Sequence, residues 1–113
     1  MAAGKLDIVI EEGADFSMTL TWLDNAGAAV DITGYTARMK VKEAVGGTLI
    51  QSLTDGSGIT LGGTAGTVVI AMTAVQTAGY DFDWGVYDLE LVTGGVVTRL
   101  VEGAVKFTRE VTD

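Results

Sequence analysis

Phe16-Ser17-Met18-Thr19-Leu20-Thr21-Trp22 is the stretch that decides the fold class. Apolar and polar side chains alternate across it. A period of two gives one apolar and one polar face only when the chain is extended, because successive strand side chains point to opposite sides. Phe16, Met18, Leu20 and Trp22 are therefore expected inside and buried, with Ser17, Thr19 and Thr21 outside. Asp24-Asn25-Ala26-Gly27 follows as a turn of residues that tolerate positive φ.

The same period continues on both sides of this stretch. Upstream, Leu6, Ile8 and Ile10 alternate with Asp7 and Val9. Downstream, a turn at Thr33-Gly34 leads to an inward series, Tyr35, Ala37, Met39 and Val41, with Thr36, Arg38, Lys40 and Lys42 facing out. Further strands are predicted at 49–53, 59–61, 67–72, 85–93, 96–102 and 104–111, separated by glycine-rich turns. Gly94-Gly95 suits a two-residue primed hairpin turn, and Gly103 suits a bulge. Thr73 and Gln76 have the spacing of a capping box, with Gly79 placed to end a short helical turn near 73–79. About eight short strands with turn signals between them predict an antiparallel β-sandwich forming a single domain over 1–113.

Composition excludes several kinds of chemistry. The 113 residues contain no cysteine and no histidine. Disulfides, thiolate metal sites, cysteine nucleophiles and Ser-His-Asp arrangements cannot be built from them. No catalytic residue, cofactor or metal site is expected, and the chain is read as a non-enzyme. Fifteen acidic against seven basic side chains give a net charge of −8, which repels phosphate backbones and anionic lipid. Neither nucleic acid nor membrane is expected as a partner. No apolar run approaches the ~20 residues that span a bilayer, and Met1-Ala2-Ala3-Gly4-Lys5 lacks the apolar stretch of a secretory signal, so synthesis in the cytoplasm is expected.

What remains is binding, and two surfaces stand out. Arg38, Lys40 and Lys42 put three of the seven cations on one strand face of an acidic protein. Tyr80, Phe82 and Trp84 form an aromatic stretch for which core filling is favoured over the role of an apolar anchor, with Phe82 or Trp84 expected to be exposed. These six residues are the candidate partner-binding set. Asp81 and Asp83 could hold calcium, but further ligands are lacking, so a solvated loop is the favoured reading. Asp88 and Glu90 share a strand face and could serve glycoside hydrolysis. Cross-strand pairing with Arg38 or Arg99 is favoured instead.

Several runs carry a resemblance. They are Gly13-Ala14-Asp15-Phe16 leading into Thr19-Leu20-Thr21-Trp22, the run Val30-Asp31-Ile32-Thr33-Gly34-Tyr35-Thr36-Ala37-Arg38-Met39, then Thr77-Ala78-Gly79, Val86-Tyr87-Asp88-Leu89-Glu90-Leu91, Thr98-Arg99-Leu100-Val101-Glu102-Gly103 and Glu110-Val111-Thr112. In this order they resemble small structural proteins of tailed bacteriophages, and are similar to the N-terminal module of upper-baseplate (BppU-type) proteins. The resemblance implies an immunoglobulin-like sandwich and a virion component without enzymatic activity. Its partners would be other virion proteins of the capsid or of the tail and baseplate, with homo-oligomers within the particle. The protein would be located in the virion after synthesis in the bacterial host cytoplasm. Capsid decoration (a cement role) and a tail or baseplate adaptor are both expectations. The sequence ends at Asp113, without the receptor-binding or trimerising region that follows this module in baseplate proteins. The alternative is a carbohydrate-binding module of β-sandwich type, with the Trp84 region as its sugar platform.

Overall fold

The structure, a computed structural model, describes residues 4–80 and 83–109. Three strands open the chain: β1 (Gly4–Lys5), β2 (Ile8–Glu11) and β3 (Phe16–Thr21). They are followed by β4 (Thr36–Lys42), β5 (Leu49–Asp55), β6 (Gly58–Leu61), β7 (Thr67–Met72), β8 (Trp84–Thr93) and β9 (Val96–Thr108). Helical structure among the described residues is confined to α1 (Ala74–Ala78) and a 3-10 turn at Gly63–Ala65. The protein is all-β.

The strands bond along one path, β1–β9–β8–β4–β5–β6–β7–β3, with β2 also on β9. Where the sequence pattern predicts two separate antiparallel sheets, the structure has one curled sheet, a half-barrel. Its two halves are joined by the parallel pairs Thr54↔Gly58 and Asp55↔Ile59, where the chain turns from β5 into β6. Connectivity explains the curl. β2 and β3 lie at opposite ends of the path, yet only residues 12–15 separate them. So short a link reaches about 17 Å when extended, so the two ends of the sheet must approach each other.

A second departure from the prediction is strand direction. β1 and β2 run parallel to β9, from Gly4↔Val101 to Glu11↔Thr108. Alternation specifies which face of a strand is buried, but not which distant strand it joins or in what sense. The Leu6-Asp7 link between β1 and β2 passes over Gly103. A Cβ there would lie inside the van der Waals envelope of the Leu6 carbonyl oxygen and 2.7 Å from its carbon. Gly103 is thus a close-approach glycine within a continuous β9. The bulge falls at Leu100, between the pairs Leu89↔Val101 and Glu90↔Arg99.

Buried apolar side chains form one cluster. Ile10, Met39, Val68, Ile70, Leu89, Leu91 and Val105 are fully inaccessible at its centre. The alternation of β4 is as predicted, with Ala37, Met39 and Val41 buried and Arg38 and Lys40 exposed. β3 is less buried than its pattern suggests. Phe16, Met18 and Leu20 are only half-buried because β3 is an end strand bonded to β7 alone. Trp22, just beyond it, is half-buried too and meets the edge of Tyr35 at 6.1 Å. The local signals elsewhere agree with the structure. Gly94 and Gly95 both have positive φ, 55° and 81°, as a type I′ turn requires. The capping box closes as Gln76 N donates to Thr73 Oγ1 and Thr73 N to Gln76 Oε1.

Candidate functional site

Register places the charged residues. The outer positions of β4 face those of β8 as Arg38↔Glu90 and Lys40↔Asp88, and β8 in turn faces β9 as Asp88↔Glu102 and Glu90↔Arg99. β1 adds Lys5 beside Glu102. A groove of about 760 Å³ runs over this outer face. Its lining includes Lys5, Arg38, Lys40, Lys42 and Arg99, with Asp88, Glu90 and Glu102. Five of the seven cations therefore meet three carboxylates here, a surplus of two positive charges. The rest of the sequence holds two cations and twelve acids. An acidic protein presents a locally cationic groove.

The pairing inside the groove is uneven. Arg38 Nε donates to Glu90 Oε1 at 2.7 Å, and Lys5 Nζ to Glu102 Oε2 at 2.7 Å. Arg99 lies between Asp88, Glu90 and Glu102 at 3.5–3.7 Å. The cross-strand pairing expected for Asp88 and Glu90 is therefore present. The Lys5 hydrogen bond, with Arg99 adding to it, holds the Glu102 carboxyl below the usual carboxylate range. Among the described residues Lys40 and Lys42 have no ion-pair partner. Their charges are therefore available to a ligand at no cost in broken pairs. At the β4–β5 turn Val45 is 92% exposed and lines the same groove.

The aromatic set divides. Tyr80 belongs to the core. Its ring packs edge-on against Phe107 at 5.3 Å and its hydroxyl donates to Gln51 Oε1 at 2.8 Å. Burial pushes its phenol up to about 12. Phe82 lies outside the described residues, as does Asp81. Trp84 begins β8 on the outer face shared with Val86, Asp88 and Glu90, and is 60% exposed with Lys106 Nζ 5.7 Å from its ring. Asp83 pairs with Arg109 at 3.1 Å. No group of side chains suited to a metal ion occurs among the described residues.

Of the six candidates, the structure gathers Arg38, Lys40 and Lys42 in the groove, sets Trp84 farther along the same sheet face, and removes Tyr80 from it. The sequence reading missed Lys5 and the contribution of Arg99 to the cationic surplus. Lys5 reaches the groove only through the parallel pairing of β1, which no local pattern encodes. Arg99 is expected from the sequence as a cross-strand partner of Asp88 and Glu90, and counting back along the hairpin from Gly94-Gly95 sets it at Glu90. Comparison with models of known protein families and with curated proteins finds no match for the chain.

Proposed function

We propose that the chain is a non-enzymatic structural subunit of a tailed-bacteriophage virion, acting as a capsid decoration protein or as a tail or baseplate adaptor. The observation that carries the binding part of this reading is the groove. Most of the cations of a −8 protein converge there, and Lys40 and Lys42 have no ion-pair partner among the described residues. Such a surface fits a protein neighbour that presents carboxylates, attracted over the Debye length and selected by charge complementarity. The exposed indole of Trp84 adds an apolar anchor on the same sheet face. The virion assignment itself rests on the ordered runs from Gly13 to Thr112.

The path β1/β2–β9–β8–β4–β5 and the path β6–β7–β3 have the composition of two sheets facing across one core. Among the described residues the only strand pairs that tie them together are those at the β5–β6 corner. This supports an immunoglobulin-like sandwich whose sheets remain joined at one corner. The test of function is a peptide map of purified virions from the phage that encodes the chain. Stoichiometric recovery is expected, and absence from intact particles would refute the assignment. One observation, the exposed ring of Trp84, favours the second reading of a carbohydrate-binding module. A glycan array separates the two, since saturable binding lost in Trp84→Ala would support the module.

A further inference from the structure

β3 ends the sheet path, and its outer edge has no strand partner among the described residues. Natural edge strands are normally protected by a lysine, a proline, a bulge or a covering loop. Between Phe16 and Leu23 the chain has no charged residue and no proline, and the β3–β7 register is unbroken. The flanking Asp15 is engaged elsewhere, accepting from Ala74 N at 2.7 Å. The other free edge, β2, is shorter and ends in Glu11. In a chain of net charge −8, β3 is the stretch of edge on which two copies can meet without opposing like charges.

The backbone groups that face this edge can be assigned. Trp22 N donates to Gly66 O and Trp22 O accepts from Val30 N, so the backbone of Trp22 points away from the edge. Strand alternation then turns Leu20, Met18 and Phe16 toward β7. The N–H and C=O groups of Ser17, Thr19 and Thr21 point outward.

We propose that β3 pairs antiparallel with β3 of a second copy about a twofold axis normal to the sheet, with Thr19 opposite Thr19 of the other chain. In this register Ser17 faces Thr21, and all three residues exchange both hydrogen bonds, leaving no outward group unsatisfied. Shifting the register by two residues to centre it on Met18 would leave Thr21 facing Asp15 and lose a pair at each end. The same register sets Met18 opposite Leu20 and Phe16 opposite Trp22. These are four of the half-buried apolar side chains that β3 and its extension leave incompletely covered. Hydroxyl residues face hydroxyl residues on the other side. Pairs of both kinds favour sheet pairing. The dimer is independent of the groove, which lies on other strands.

Because the chain has no cysteine, single substitutions report the register directly. Thr19→Cys places two thiols at the twofold, within the Cα separation that a disulfide accepts. Its air-oxidised crosslinking is expected to run at least about tenfold faster than that of Thr60→Cys, an exposed residue on the same face two strands away. Ser17→Cys and Thr21→Cys should crosslink when mixed and not alone. Thr19→Lys should abolish the dimer seen by light scattering at high concentration and leave the circular dichroism unchanged. Thr19→Cys crosslinking no faster than Thr60→Cys, equal crosslinking of Ser17→Cys alone, or a dimer unaffected by Thr19→Lys would each overturn the proposal.

Discussion

Gly103→Ala is a sharp test of how the N-terminal segment is held. An added methyl in a strand is ordinarily favourable by about 0.5–1 kcal/mol, because alanine loses less backbone freedom than glycine on folding. Here the new Cβ would sit 2.7 Å from the Leu6 carbonyl carbon and 3.0 Å from Asp7 Oδ1, so the Leu6-Asp7 link must withdraw. Three hydrogen bonds go with it. Leu6 N donates to Glu102 O at 3.0 Å, Ala104 N donates to Asp7 Oδ1 at 2.9 Å, and the Tyr87 hydroxyl donates to Leu6 O. The first two contribute about 1 kcal/mol each. Leaving the buried Tyr87 hydroxyl unpaired adds about 1–3 kcal/mol. The net loss is about 2–4.5 kcal/mol, roughly a 10–20 °C fall in Tm for a domain of this size. Denaturant unfolding with unchanged m measures it. In a variant lacking residues 1–7 the same substitution should become neutral or stabilising, which gives a coupling energy by double-mutant cycle. A loss under about 1 kcal/mol in the intact chain would mean that the N-terminal segment does not cross β9 at Gly103.

Three further outcomes are expected. Thr77 is fully buried, and its hydroxyl donates to Ala14 O at 2.8 Å, tying α1 to the β2–β3 link; Thr77→Val should cost about 1–2 kcal/mol in urea unfolding. The phenols of Tyr80 and Tyr87 are both pushed up to about 12, by burial first and for Tyr87 also by Asp7. A folded-state value raised above the unfolded value near 10 stabilises fully below pH 10 and is lost as pH rises through 12. Stability should therefore fall across that window, in step with phenolate absorbance. A chelator should leave Tm unchanged, because the sequence has neither histidine nor cysteine and no group of side chains suited to a metal ion occurs among the described residues.

Local features were legible in the sequence because their causes are local. The inward series Ala37, Met39 and Val41, the Gly94-Gly95 turn and the Thr73–Gln76 cap each follow from steric or hydrogen-bonding rules that span a few residues. Alternation fixed the faces of β4 and β8, and so the outward row of Arg38, Lys40 and Lys42. It did not reveal pairing between distant segments. The parallel docking of β1 and β2 on β9, and the junction of β5 with β6, depend on how the chain closes on itself. Burial followed from position in the sheet rather than from pattern. Trp22 continues a clean apolar series but lies beyond an end strand, whereas Tyr80, in the aromatic stretch for which core filling is the favoured reading, turns inward to Gln51 and Phe107. The groove likewise needed both ends of the chain, since Lys5 and Arg99 stand far from β4 in sequence.

In the proposed function, Lys40 and Lys42, without ion-pair partners among the described residues, dock the protein onto a neighbouring virion subunit. Lys40→Glu and Lys42→Glu break no ion pair among the described residues and replace no buried side chain, so the fold should be retained. Each reversal removes the cationic surplus of two, and Lys40→Glu also sets a carboxylate directly opposite Asp88. The direct measurement is copies per particle, counted by quantitative peptide mapping of virions assembled with each variant in place of the native chain. A clear fall is expected for both reversals, with added salt lowering native occupancy and so narrowing the gap to the variants, and full occupancy is expected for the distant control Val75→Ala. Native occupancy for both reversals would contradict this docking and move the interface away from the groove.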